Sequence, residues 1–328
     1  VKWQQRVRGD EDRLYTSARP ISMRDTQRLR ASKMNNIFIG TCSWTDRSLI
    51  STDEFYPKGV KTSEGRLRYY SSIFRCVEVD SSFYALPSER NSRLWVERTP
   101  EDFVFNIKAF AVMTHHGIRP EALPPDLRGN IRSEEKGRVF IKDKEIIEEV
   151  FRRFKEAIEP IRVRNKLGIV VFQYPPWFKK KAESLRIILE AKRYMEGYEI
   201  GVEFRNRSWL DENQRSDTLS FLRDNQITYI ISDAPQVRDS RTVPYIVDCT
   251  TDTAYFRFHG KNVENWLKKD IQTFERYDYE YKENELMAFA SDIDRISRKV
   301  RRVFAMFNNH RGSQAIRNAL TLKRILSD

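Results

Sequence analysis

A chain of 328 residues can hold two ordinary domains or one large α/β barrel, since barrels commonly run to about 250 residues or more. Its longest uncharged apolar stretches, of the kind "LGIVVF" (167–172), fall far short of the ~18 residues of a membrane helix, and the polar start "VKWQQRVRGDEDR" has no signal-peptide core. No membrane partner is therefore expected, and a cytoplasmic protein is. The formal charge of +12, from 59 basic and 47 acidic residues, opens a nucleic-acid reading.

Residues 1–35 carry nine Lys/Arg against four Asp/Glu and lack a sustained apolar period. They read as a basic arm ahead of a single domain spanning 36–328. The basic runs "RVRNK" (162–166) and "SRKVRR" (297–302) stand just before apolar runs and read as solvated faces. Cys42, Cys76 and Cys249 are far apart and form no C-x-x-C pair, so neither a disulfide nor a zinc framework is expected.

From residue 36 onward, short β-branched or aromatic runs alternate with stretches of helical period. The strands are expected at "NIFIG" (36–40), "CVEVD" (76–80), "FVFNIK" (103–108), "LGIVVFQ" (167–173), "EIGVEF" (199–204), "ITYIIS" (227–232), "TAYFRFH" (253–259) and "VFAMFN" (303–308). Helices are expected at 64–72, 88–98, 142–158, 181–195, 211–225, 283–298 and 313–326, the last with Ser313 as its N-cap. Two connections, 109–141 and 233–252, are long enough to be functional or to hide small elements. Eight strands with mostly helical crossovers predict an α/β fold, a closed (β/α)8 TIM-like barrel. No G-x-G-x-x-G follows the first strand, so a nicotinamide site is not expected.

In such a barrel the site lies at the carboxyl ends of the strands. Those ends here are polar: Trp44, Glu78 with Asp80, Lys108 followed by His115 and His116, Gln173, Glu203 with Arg205, Asp233, Arg257 with His259, and Asn308 with Asn309. Strand side chains alternate, so Glu78/Asp80, Glu203/Arg205 and Arg257/His259 are same-face pairs. Glu78 and Glu203 are the candidate acid/base carboxylates, with His259 and His115 as proton carriers. Lys108, Arg205, Arg257, Asn308, Asn309, Gln173 and Trp44 are candidates for holding an anionic ligand. The plainer reading is a structural ion-pair network that closes the barrel top, because unpaired buried charges cost several kcal/mol. A divalent cation on Glu78, Glu203 and Asp233 stays open, whereas four histidines without ligand spacing point to neither zinc nor haem. After the last strand, "FNNHRGSQA" (307–315) offers Asn308, Asn309, Arg311, Gly312 and Ser313 where barrels often bind phosphate.

The segments "IFIGTCSW", "FYP", "LRYYSSIFRCVEVDSSFYALPS", "VVFQYPPWF", "VEFRNRSW", "YFRFHGK" and "FNNHRGSQAIRNAL" together resemble the YecE-like family of uncharacterised proteins. The resemblance covers about residues 36–326 and implies a TIM-like barrel with its site at the mouth, but no reaction, substrate or cofactor. The family usually has Gly-Trp where Ser43-Trp44 stands, and Asn where Asp80 stands. The functional expectation is an enzyme acting by acid/base chemistry on an anionic, phosphate-bearing small molecule or nucleotide. A phosphate-ester hydrolase and an isomerase or lyase both fit. A nucleic-acid-binding or nucleic-acid-processing barrel, using the arm and "WFKKK" (177–181), is the alternative, and a catalytically silent scaffold is the third.

Overall fold

The computed structural model describes residues 36–328 except 130–136 and positions 238, 240, 269 and 310. The basic arm and His310 therefore lie outside the described residues. Eight parallel strands form the sheet: β1 Ile37–Thr41, β2 Cys76–Val79, β3 Val104–Lys108, β4 Leu167–Gln173, β5 Ile200–Glu203, β6 Thr228–Asp233, β7 Thr253–Phe258 and β8 Arg302–Phe307. Each lies within a residue or two of its predicted position. Ladder hydrogen bonds run β1-β8-β7-β6-β5-β4-β3-β2, so the sheet curls until β1 and β2 meet. At that seam a side chain replaces the ladder. The Tyr70 hydroxyl accepts from the Thr41 backbone N–H (2.9 Å) and donates to the Cys76 carbonyl (3.2 Å). Gly40 makes the close approach possible, since a Cβ there would stand 2.4 Å from the Cys76 carbonyl oxygen.

The longer helices are α1 Ser63–Ile73, α2 Glu89–Glu97, α3 Lys144–Val163, α4 Ala182–Tyr194, α5 Arg215–Asp224, α6 Glu283–Ser297 and α7 Gln314–Ser327. Thr62, Ser88 and Asp143 cap α1, α2 and α3 through their side-chain oxygens, which satisfies otherwise orphaned N–H groups. Helix α3 runs beyond the expected end at 158 and carries Pro160 inside it. Ser313 precedes α7 as expected, but its hydroxyl makes no cap bond and donates instead to the Glu54 carboxylate. A charged acceptor forms the stronger bond. No helix among the described residues is long and apolar enough to cross a membrane.

Two apolar layers follow from strand alternation. Phe38, Ile169, Val171, Ile230, Tyr255, Phe304 and Met306 fill the barrel interior, while the opposite strand faces pack on the helices. The basic runs are not wholly solvated. Lys166 is buried, and its ammonium donates to the carbonyls of Val96 (3.0 Å), Thr99 (2.8 Å) and Pro100 (2.7 Å), closing the chain end of α2. Arg302 donates to the Gly168 carbonyl (3.2 Å) and to Glu199 (2.7 Å) at the barrel bottom. In both runs the last cation stands at a strand's start, Lys166 just before β4 and Arg302 as the first residue of β8, and must find partners there.

The connection after β3 is ordered by the short helical turns Ala111–Thr114, Pro120–Ala122 and Pro125–Arg128 and by an antiparallel bridge between Ile118 and Val139. The connection after β7 holds the turns Val263–Trp266 and Thr273–Arg276 and lies over the mouth.

Candidate functional site

Above the apolar interior layers, the inward positions at the strand ends become charged. Arg257, from β7, stands at the centre and is fully buried. Its Nη1 donates to Gln173 Oε1 (3.0 Å) and to Glu203 Oε2, and its Nη2 donates to Glu78 Oε1 (2.6 Å). The second oxygen of Glu78 accepts from the Tyr255 hydroxyl (2.7 Å). The second oxygen of Glu203 pairs with Arg205 Nε and lies 3.0 Å from His259 Nε2. Asn308 Nδ2 is 2.9 Å from His259 Nδ1. His259 Nε2 also lies 3.0 Å from Arg205 Nη2, so this nitrogen stands between a guanidinium donor and the Glu203 carboxylate. Lys108, from β3, pairs with Asp80 (3.1 Å) and stands over the Phe83 ring.

The two carboxylates share one guanidinium yet differ in proton affinity. Burial raises the Glu203 carboxyl, but Arg205 and Arg257 outweigh it and hold the group well below the usual carboxylate range. At Glu78 burial prevails over Arg257, the charge of Asp80 adds to it, and the carboxyl is raised. Burial, assisted by Arg205, pushes His259 down to about 3, so the ring is neutral at neutral pH. At Lys108 the carboxylates of Asp80 and Glu78 prevail over burial, and the ammonium is held charged. Burial and Glu78 keep the Cys42 thiol protonated. The structure therefore gathers Glu78, Lys108, Gln173, Glu203, Arg205, Arg257, His259 and Asn308 into one cluster.

Four other predicted site residues stand outside that cluster. Trp44 packs edge-on against Trp95 (5.6 Å) in the apolar layer beneath the helices. Asn309 donates to the Tyr279 carbonyl (2.7 Å) and to Asn318 Oδ1 (2.8 Å), behind the mouth. His115 ends the turn Ala111–Thr114 with a left-handed backbone (φ 58°), and its charged neighbours are Glu190 and Glu183 on the α4 side. The adjacent His116, bonded to Thr114 (2.8 Å), is the one that turns toward Phe83 and Lys108. Asp233 lies on the outward face of β6 and accepts from the Tyr281 hydroxyl (2.6 Å). The three carboxylates weighed for a divalent cation are thus not brought together, and Arg257 fills the space between Glu78 and Glu203. Among the described residues no three His, Cys, Asp or Glu side chains are grouped to hold a metal ion.

Two cavities open beside the cluster. One, of about 500 Å³, is lined by residues that include Gln173, Arg205, Trp266, Lys268, Arg276 and Tyr277. The other, of about 1460 Å³, touches Cys42 and Asp80 and extends to the loop after β8. In that loop the expected phosphate donors are already engaged: Arg311 by Asp278, and Ser313 by Glu54, while the Gly312 N–H donates to the Ser48 hydroxyl (3.1 Å). Lys261 pairs with Glu285 (2.8 Å), away from the mouth.

Several contributors were not singled out from the sequence. Tyr255 lies two residues before Arg257, so alternation already placed it on the inner face. Trp266, Lys268, Arg276 and Tyr277 come from a polar stretch with no strand or helix period to mark them. Trp266 covers Arg205 (5.5 Å), and the rings of Trp266 and Tyr277 lie 6.2 and 5.8 Å from that of His259.

A family model described as "Protein of unknown function DUF72" matches residues 38–328. The chain is 34% identical over 294 residues to UPF0759 protein YunF of Bacillus subtilis, covering 88% of this chain and 94% of that protein. A 79-residue stretch is 33% identical to UPF0759 protein YecE of Escherichia coli, covering 24% of this chain and 25% of that one. Among solved structures, a DUF72 family protein from Thermotoga maritima matches with TM-score 0.71 and 30% identity, covering 90% of this chain and all of that one (100%). One from Enterococcus faecalis matches with TM-score 0.73 and 25% identity, covering 88% and 95%.

Proposed function

The chain belongs to the DUF72 family of TIM-barrel proteins, and on the chemistry of its mouth we propose that it is an enzyme acting by acid/base chemistry on an anionic, phosphate-bearing small molecule. The observation that carries this reading is the double position of Arg205. Its guanidinium pairs with Glu203 inside the buried cluster, and it also lines the 500 Å³ cavity together with Lys268 and Arg276. Arg205 is paired with Glu203 and Arg241 with Asp239, which leaves Lys268 and Arg276 against one acid, Asp270, on the wall of that cavity, a balance that favours an anion. A cavity of this size suits a small ligand rather than a polymer.

In this reading Arg205, Lys268 and Arg276 hold the anionic end, and Glu78 and Glu203 divide the proton work. Two carboxyls whose surroundings push their proton affinities apart are suited to opposite roles, Glu203 ionised and Glu78 the more readily protonated. Neutral His259, bonded to Glu203, would pass the proton toward the ligand. Trp266 and Tyr277 cover this ring, so a ligand would reach it by turning those side chains aside. Arg257 is fully buried with both terminal nitrogens engaged, and its role is to position the two carboxylates rather than to bind the anion.

The test is thermal melting with inorganic phosphate, phosphorylated metabolites and nucleotides. A ligand that binds the folded state raises the melting temperature by mass action. At least one compound should do so, and the rise should be lost in a Lys268→Ala/Arg276→Ala double variant that melts normally without ligand. No rise with any compound, or an equal rise in the double variant, refutes the reading. In parallel, single-stranded and duplex DNA at two salt concentrations test the alternative, for which affinity falls steeply with salt. Strong DNA binding without a small-molecule effect would replace the proposal.

A further inference from the structure

The larger cavity has a different chemistry from the basic one, and we infer that it is a binding site for an uncharged, polyhydroxylated group, a sugar or cyclic polyol. Its volume of about 1460 Å³ is roughly three times that of the basic cavity, more than a phosphate group fills. Its charges nearly balance: Asp46, Glu54, Asp80 and Asp278 against Arg47, Arg311 and Arg317. Most of these are engaged within the wall. Arg317 donates to Glu54 (2.8 Å), Arg311 pairs with Asp278, Asp80 pairs with Lys108 (3.1 Å), and Asp46 accepts from the Ser48 backbone N–H (2.8 Å). A wall of neutralised, mutually oriented groups has little to offer a free ion. It offers much to hydroxyls, each of which donates once and accepts twice.

The rest of the lining has the same character. Seven serines and threonines, with Gln272 and Gln314, line the cavity. Tyr84 and Phe274 stand on its wall with 62% and 39% of their surfaces exposed, although large aromatic side chains are usually well buried. An exposed ring beside a polar wall suits a ligand with one apolar C–H face and a hydroxylated edge. The cavity reaches Cys42 and Asp80 at the ends of β1 and β2, so its ligand would approach the charged cluster from the side opposite Arg205. The inference does not depend on the anion reading, because its ligand carries no charge.

Saturation-transfer NMR and calorimetry of the whole protein with free pentoses, hexoses, N-acetylhexosamines and myo-inositol test it directly. At least one of these neutral compounds should bind, with little change between low and high salt. Affinity should fall at least tenfold in Tyr84→Ala and in Phe274→Ala, and both exposed positions can lose their rings without a core defect. In Lys268→Ala, which keeps the backbone carbonyl that Arg276 bonds, the sugar should bind as in the unaltered protein. If no neutral compound binds, or if both aromatic variants bind as tightly as the unaltered protein, the inference is wrong. Loss of sugar binding in Lys268→Ala would also overturn it, by moving the ligand to the basic cavity. Failure of phosphate compounds to bind refutes the anion reading alone.

Discussion

Glu203 and Glu78 sit on the two sides of one guanidinium, yet their removal should have unequal effects. Glu203 balances two buried cations, Arg205 and Arg257, so Glu203→Gln leaves both short of a counter-ion and should destabilise the fold by about 3–5 kcal/mol. Glu78→Gln removes a carboxyl that burial already drives toward its neutral form, and it should cost clearly less. Denaturant midpoints of the two variants check the order, and equal losses would contradict the charge assignment. Asp233 provides a second, pH-dependent case. Burial raises its carboxyl from 3.8 to about 6, against the Tyr281 hydrogen bond and the nearby charge of Lys261, while Glu285 adds to the rise. Between pH ~4 and ~6 the folded protein therefore binds more protons than the unfolded chain, so this residue's contribution to stability falls as pH rises through that window. Asp233→Asn keeps an acceptor for Tyr281 and removes the penalty. It should stabilise the protein by up to about 3 kcal/mol above pH 6.5 and hardly at all below pH 4, as read from urea unfolding at the two pH values.

At the scale of elements, the segment between β7 and α6 decides what covers the cluster. Both its ends meet at one hydroxyl: the Gly260 N–H donates to Tyr281 (2.7 Å), and Tyr281 donates to Asp233. Within it, Asn262 bonds the Asp278 carbonyl (3.0 Å) and Arg276 bonds the Lys268 carbonyl (2.7 Å), so the segment carries its own frame. Gly260 has φ +85°, where an L side chain is strained, and a Cβ there would stand 2.6 Å from Tyr279 Cβ. Gly260→Ala should therefore cost more than about 1 kcal/mol and loosen this segment before the barrel. Hydrogen exchange should quicken across 260–282 while the strand amides stay protected. Uniform exchange across the molecule would show that the segment and the barrel open together.

For the molecule as a whole, the critical feature is how the ring of strands closes. Seven of the eight interfaces are parallel ladders, and the last, between β1 and β2, relies on the Tyr70 hydroxyl beside Gly40. Tyr70→Phe keeps the ring packed against Phe74 and Phe103 but leaves the Thr41 N–H and the Cys76 carbonyl without this partner. An unsatisfied buried group costs roughly 1–3 kcal/mol, so a loss of that size is expected in the unfolding free energy, with strand content by circular dichroism unchanged. Because Thr41 leads into Cys42 and Cys76 into Glu78, the same variant should loosen the β1/β2 side of the mouth. It should do so more than at Arg205, as hydrogen exchange can report.

The strands, their inward faces and most helix boundaries were legible in the residues, because alternation and capping depend only on neighbours a few positions apart. That Glu78, Glu203, Arg257 and His259 face one way at strand ends follows from period two, and the barrel then brings them within bonding distance. Which charge prevails at each could not be read, since it depends on how closely each group approaches the others. Glu203 meets two guanidiniums where Glu78 meets one. Likewise "FNNHRGSQA" looked open to phosphate until Glu54 and Asp278, hundreds and tens of residues away in the chain, took its Ser313 and Arg311. The cover over His259 comes from a stretch without periodicity. Local rules therefore determined the barrel and the inward faces of its strands. Ring closure and the loops, which join residues distant in sequence, decided which polar ends are buried, which pair with one another and which remain open to a ligand.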